Sequence, residues 1–230
     1  MEIRLLPRKH PGPCLLEFYA SQLTSVEVNY TFRTLSTETQ LQGWLDATPA
    51  NFRFSFKAPQ RITHFQRLRE SQDAIAEFVA SLKPVRAAGK LGPLLFQLPP
   101  NFAANNLLLA SFLKASKLRS YQVAFEFRHP NWFTEDTYAI LRRHNAALCV
   151  AESDDLATPD VTTADFHYYR LRRNGGYKPS ALKAFAKRFS ALATTREVFA
   201  YFKHEDEPTG ALNAVNFFKF ADDFSRAAAA

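Results

Sequence analysis

Alternation organises this chain. In Phe52-Arg53-Phe54-Ser55-Phe56-Lys57 every second residue is a phenylalanine and the residues between are polar. An extended strand sends successive side chains to opposite faces, so this stretch has one apolar and one polar face. The same pattern sets Val26, Val28 and Tyr30 against Glu27, Asn29 and Thr31, and Leu94, Phe96 and Leu98 against Leu95 and Gln97. It sets Phe125 and Phe127 against Ala124, Glu126 and Arg128. Runs of this kind predict strands over 25–32, 52–58, 93–98, 122–128, 147–152, 166–171 and 198–204. Between them, helical patterning predicts helices over 14–22, 37–46, 71–88, 106–116, 134–144, 180–192 and 210–224. Ser36, with Glu38 close behind, is the predicted N-cap of the second helix. Residues 153–165 carry Pro159 and two Asp-rich patches and read as a loop or a single turn.

Strand-then-helix order implies a parallel sheet with right-handed crossovers. Seven such strands predict a TIM-type (β/α) barrel, as one domain over residues 1–230. A doubly wound open sheet would carry a glycine-rich phosphate turn, yet the chain has 7 glycines and no G-x-G-x-x-G. A half-exposed antiparallel sheet is disfavoured by the helices between strands. In a barrel the bulky faces pack against outer helices, and the other face lines the interior. Glu27, Asn29, Lys57, Gln97, Glu126, Arg128, Arg170 and Lys203 then converge on one mouth, where barrel enzymes build their sites.

Composition bounds the rest. Hydrophobic residues make up 47% of the chain, ample for a packed core. The two cysteines, Cys14 and Cys149, stand far apart without a partner motif, which argues against a disulfide framework or zinc knuckle. Cys149 lies in an apolar run and is expected to be buried. Residues 1–12 lack the apolar segment of a signal peptide, and no run approaches the ~18 apolar residues of a membrane span. The expected setting is soluble and cytoplasmic. A net charge of +7 favours anionic partners: phosphates, nucleic acid or acidic metabolites. The basic residues are spread along the chain without a dense tail.

The mouth residues suggest roles. Glu126 is the candidate general acid or base. Lys57, Arg128 and Arg170 form a candidate anion clamp, since guanidinium pairs bidentately with phosphate or carboxylate. Asn29, Gln97 and His64 are candidates to orient a ligand, with Glu27, His129, Tyr201 and Lys203 beside them. A structural ion pair between Glu126 and its cations is the competing reading. His64, His129 and His204 fall where loops cover the mouth, and with nearby carboxylates they raise the question of a divalent metal. No H-x-x-x-H spacing supports one, so hydrogen-bonding histidines are the favoured reading. Trp132 is expected to pack the loop against the rim or stack on a ligand, packing being favoured.

Several segments together resemble one family: Val26-Glu27-Val28-Asn29-Tyr30-Thr31-Phe32, Phe54-Ser55-Phe56-Lys57-Ala58-Pro59 with Ile62-Thr63-His64, and Gly92-Pro93-Leu94-Leu95-Phe96-Gln97-Leu98-Pro99-Pro100-Asn101-Phe102. Phe125-Glu126-Phe127-Arg128-His129-Pro130 with Trp132, Tyr169-Arg170-Leu171 and Tyr201-Phe202 continue the match. The chain resembles the YecE-like proteins, domain of unknown function 72, from about Leu15 onward. The resemblance implies a TIM-type barrel and no established activity; likeness to metal-dependent barrel nucleases is a fold analogy. Family members open with a strand carrying a Gly-Thr-Ser-Gly-Trp-like motif, which this sequence lacks. The barrel is therefore expected to lack or degrade its first strand: either the start lies upstream, or Glu2 to Leu6 serves as an irregular edge. The expectation is a mouth that binds a phosphate-bearing or nucleic-acid-derived ligand; hydrolysis of that ligand rests on the fold analogy alone. The alternative is a non-catalytic binding module for nucleic acid or an anionic metabolite.

Overall fold

The computed structural model describes residues 12–115, 118–152, 156–202 and 209–229. Its elements run α1 (Gly12–Gln22), β1 (Ser25–Val28), α2 (Glu38–Asp46), β2 (Arg53–Lys57), α3 (Gln72–Ser81), α4 (Lys83–Ala87), β3 (Leu91–Gln97) and α5 (Asn106–Ala115). They continue with β4 (Val123–Glu126), α6 (Glu135–Arg143), β5 (Ala146–Glu152), β6 (Phe166–Leu171), α7 (Pro179–Ala193), β7 (Glu197–Phe202) and α8 (Thr209–Ala229). The seven strands pair in chain order, and every pairing is parallel. They make a nearly closed barrel of the TIM type. Among the described residues β1 and β7 are the two ends of the sheet. Outside these ends α1 and α8 approach each other, where Leu23 packs with Val215, Tyr19 and Leu212. The predicted irregular edge at Glu2 to Leu6 lies outside the described residues.

The two strand faces divide as the alternation predicts. Phe54, Phe56, Leu94, Phe96, Phe125 and Phe127 join the core shared with the surrounding helices. Each such fully buried side chain contributes on the order of 1.5–3 kcal/mol. Leu95, Ala124, Ala147, Cys149, Tyr168 and Tyr201 fill the barrel interior. Burial raises the Cys149 thiol well above its ordinary pKa and leaves it inert. Pro93 lies in a central strand, where a missing N–H is tolerated at a bulge. The register does slip there: Phe54 pairs with Leu91 but Phe56 with Leu94. Gly92 belongs to the same irregularity, since a Cβ there would stand 2.9 Å from Ser55 Oγ.

Several expected boundaries are corrected. Strand 25–32 ends at Val28, and Tyr30–Phe32 forms a 3-10 turn because Thr31 is drawn to the end of β2. Strand 122–128 ends at Glu126, so Arg128 belongs to the following loop. Thr37, not Ser36, caps α2; its hydroxyl accepts from the Gln40 N–H while the Gln40 side chain accepts from the Thr37 N–H. The single helix expected over 71–88 is two, broken at Leu82. Pro84 lacks an N–H for a continuous helix but fits the first turn of a new one. Strand 198–204 is seen from Glu197 to Phe202, and Lys203 and His204 lie outside the described residues.

Candidate functional site

The carboxyl ends of β1 to β4 and β6 carry a connected polar network. Glu126, at the end of β4, is fully buried. Its Oε1 accepts from Gln97 Nε2 at 2.8 Å and from Arg128 at 3.3 Å. Its Oε2 accepts from Arg170 on β6. Arg170 also donates to Glu27 Oε1 at 2.8 Å, reaching back to β1. Glu27 takes two further bonds, from Tyr168 at 2.7 Å and from Asn29 at 3.2 Å. Arg172 stands 3.7 Å from Glu126. One guanidinium therefore ties both carboxylates, and through them three strands.

Lys57 joins this network indirectly. Its Nζ donates to Gln97 Oε1 at 2.7 Å, and the same amide donates onward to Glu126. Only this orientation of the amide satisfies an ammonium on one side and a carboxylate on the other. The ammonium also sits 4.0 Å from the centroid of the Phe32 ring. That ring is placed by Thr31, whose hydroxyl donates to the Lys57 carbonyl at 2.7 Å.

His64 enters from the loop after β2. Its ring meets Phe32 edge-on at 4.9 Å, and Nδ1 lies 2.9 Å from the Thr63 hydroxyl. The loop begins as a π-helical turn, Arg61–Phe65, and continues through Arg67, Leu68 and Glu70, all at positive φ. Non-glycine residues in that region carry strain, which persists where surrounding packing fixes it. Here buried Ile62, Thr63 and Leu68 anchor the loop.

Electrostatics follows from these contacts. Burial alone would raise Glu126, but the Arg170 charge and the Arg170 and Gln97 hydrogen bonds outweigh it, so its carboxyl is held below the ordinary range. Burial opposes the Arg170 charge, and the two glutamates more than restore it. Lys57 is lowered to about 8, first by burial and next by Arg170. Burial, Lys57 and Arg67 lower His64.

Glu27, Asn29, Lys57, Gln97, Glu126, Arg128 and Arg170 thus form one network, with His64 joined through Phe32. The other candidates lie apart. His129 spends Nδ1 on the Asn131 N–H, capping the turn Pro130–Trp132. Tyr201 lies within the barrel, its hydroxyl 2.7 Å from Ser55 Oγ. Trp132 is fully buried, stacked on Phe127 at 4.6 Å, with its indole N–H on the Phe102 carbonyl. Sequence reasoning missed Arg172, which shares a strand parity with Arg170, and Phe32 as the wall of Lys57. Among the described residues no group of three His, Cys, Asp or Glu gathers as metal ligands. No helix among them is long and apolar enough to cross a membrane.

A parallel (β/α) barrel with an arginine-tied acidic pair at the carboxyl ends of its strands defines the class of molecule. The chain belongs to the family described as protein of unknown function DUF72, whose model matches residues 3–228. The protein YecE of Escherichia coli is 32% identical over 124 residues, covering 54% of this chain and 45% of YecE. YunF of Bacillus subtilis is 29% identical over 169 residues, covering 69% of this chain and 60% of YunF. The chain thus spans about half the length of the curated relatives it matches. A solved DUF72-family protein of Thermotoga maritima superposes with a TM-score of 0.82 at 26% identity, covering 94% of this chain and 92% of that one. One from Enterococcus faecalis shares the fold, with a TM-score of 0.76 at 21% identity over 90% of this chain and 93% of that one.

Proposed function

We propose that the mouth binds a phosphate-bearing small molecule or a nucleic-acid-derived fragment. One observation carries this reading. Among the described residues, Lys57, Arg128, Arg170 and Arg172 surround only two carboxylates, Glu27 and Glu126. Both carboxylates are committed to Arg170, which leaves a surplus of two positive charges. Arg128 and Arg172 are about a quarter exposed and can turn toward a ligand. An anion would complete their hydrogen bonding and relieve their mutual repulsion.

A hydrolytic version needs a proton carrier. Glu126 is held ionised and already accepts from three donors, which leaves it a poor acid and a weak base. That environment favours the second reading, a binding module, over hydrolysis with Glu126 as the acid. In either case Glu126 serves as the anionic hub that fixes the clamp.

The test is thermal shift against inorganic phosphate, sugar phosphates and short oligonucleotides, at low and moderate salt. The expected result is saturable stabilisation by at least one of them. It should weaken as salt rises and fall in Arg128→Ala and Arg172→Ala. Absence of any concentration-dependent shift at low salt would sink the proposal.

A further inference from the structure

Among the described residues, Lys57 and Lys90 are the two lysines largely withdrawn from water, and they are treated differently. Lys90 is saturated by oxygen: its ammonium donates to the Leu45 carbonyl at 2.8 Å, the Thr48 carbonyl at 2.6 Å and the Thr48 hydroxyl at 3.1 Å. That lysine is structural. Lys57 has one neutral amide acceptor and an aromatic face. The carboxylates that could have paired with it are taken by Arg170, and Gln97 stands between Lys57 and Glu126.

The groups facing Lys57 come from every neighbouring element. Glu27 stands on β1, Phe32 on the turn after it, Gln97 on β3, and Glu126 with Arg128 on and after β4. Arg170 and Arg172 stand on and after β6, and His64 comes from the loop after β2. The arrangement withholds a direct counter-ion and places guanidinium groups nearby. Desolvation and neighbouring cations are what activate a nucleophilic lysine. The pKa near 8 agrees with that geometry.

We propose that Lys57 is a nucleophilic lysine that forms an imine with a small aldehyde or ketone carrying an anionic group. The neutral amine attacks the carbonyl carbon, and the carbonyl electron pair moves to oxygen. A proton passes from nitrogen to that oxygen. The nitrogen lone pair then expels the oxygen, which leaves as water after taking a second proton from solvent. The product is a protonated imine, so one water is released and nothing is oxidised or reduced. The placement of the substrate's anionic group rests on the reading of Arg128 and Arg172 as a clamp. The reactivity of the amine does not.

Pyridoxal phosphate is a suitable probe, being an aldehyde that carries a phosphate. The full chain is incubated with it near pH 8, reduced with borohydride to a stable secondary amine, and mapped by peptide mass spectrometry. Lys57 should be labelled at least about tenfold faster than the other lysines, because far more of it is neutral there. The labelling rate should rise with a midpoint near pH 8. Lys57→Arg, checked for folding by circular dichroism, should lose that label alone. Inorganic phosphate should compete, and pyridoxal without phosphate should react more slowly. Labelling spread over many lysines without preference for Lys57 would overturn the proposal, even if phosphate still stabilises the protein and the anion reading stands. Preferred labelling of Lys57 that is indifferent to phosphate would uphold the nucleophile and overturn the anion clamp.

Discussion

Arg170 and Glu126 meet across the barrel interior from β6 and β4, each side chain withdrawn from water, and the same guanidinium holds Glu27 from β1. A buried pair gains little over an apolar substitute, but removing one partner leaves the other charge without compensation. Arg170→Met should therefore destabilise the fold by about 3–5 kcal/mol, because it takes from two buried carboxylates the cation they share. Glu126→Gln should cost less, since Arg170 keeps Glu27. Urea denaturation of both variants checks the order. Equal costs would mean that Glu27 does not share the guanidinium in solution.

Ser55 and Tyr201 share a buried hydrogen bond of 2.7 Å that links β2 to β7. Burial raises the Tyr201 hydroxyl above its ordinary pKa, so it stays a neutral donor or acceptor. Tyr201→Phe leaves Ser55 Oγ without that partner and should cost about 1–3 kcal/mol. Ser55→Ala should cost a similar amount. Removing both polar groups should cost less than the two single changes together. A double-mutant cycle by chemical denaturation gives the coupling, and simple additivity would show that the bond contributes nothing specific.

Trp132 belongs to the core rather than to a ligand surface. Its ring is nearly parallel to Phe127, at an interplanar angle of 10°. Its N–H satisfies the Phe102 carbonyl at 2.7 Å. Trp132→Ala should cost about 3–5 kcal/mol through the cavity it leaves. Trp132→Phe should cost about 1–3 kcal/mol, mainly from the orphaned carbonyl. Phosphate-induced thermal shifts should survive in Trp132→Phe, whereas their loss would return this side chain to the ligand surface.

The strand faces were legible because a period of two needs no tertiary information: Phe54 and Phe56 had to oppose Ser55 and Lys57. The convergence of Glu27, Gln97, Glu126 and Arg170 followed from parallel strands alone. Depth along a strand was less legible. Tyr201 has the inward parity of the site residues, yet its hydroxyl bonds Ser55, one step of the inward face before Lys57 on β2. Loop geometry was least legible. Phe32 reads as the end of a strand until Thr31 is drawn to the Lys57 carbonyl, 26 residues away in sequence. His129 reads as a mouth residue until its ring is seen to cap the turn that immediately follows it. Arg172 was missed because the predicted strand stopped at Leu171. Extending its alternation by one residue would have paired Arg172 with Arg170.

Lys57 should leave a signature in the pH dependence of stability. In the unfolded chain its ammonium titrates near 10.5, and in the fold near 8. Between those values the unfolded state binds more protons than the folded state, so this residue makes stability rise with pH. Below about pH 8 both states are protonated, and the fold bears the full penalty of a buried ammonium. Above 10.5 both are neutral and the penalty is gone. Tyr19, Tyr169 and Tyr177, each raised to about 12, act in the opposite sense above their ordinary value of 10.0. Their effect is common to wild type and variant and cancels in the difference. Lys57→Met carries no titrating group, so the stability of wild type minus variant should grow from about pH 8 to about pH 10. Urea denaturation at several pH values across that window measures it. A flat difference would show that Lys57 keeps an ordinary pKa in the fold, and would remove the electrostatic ground for an activated amine at the mouth.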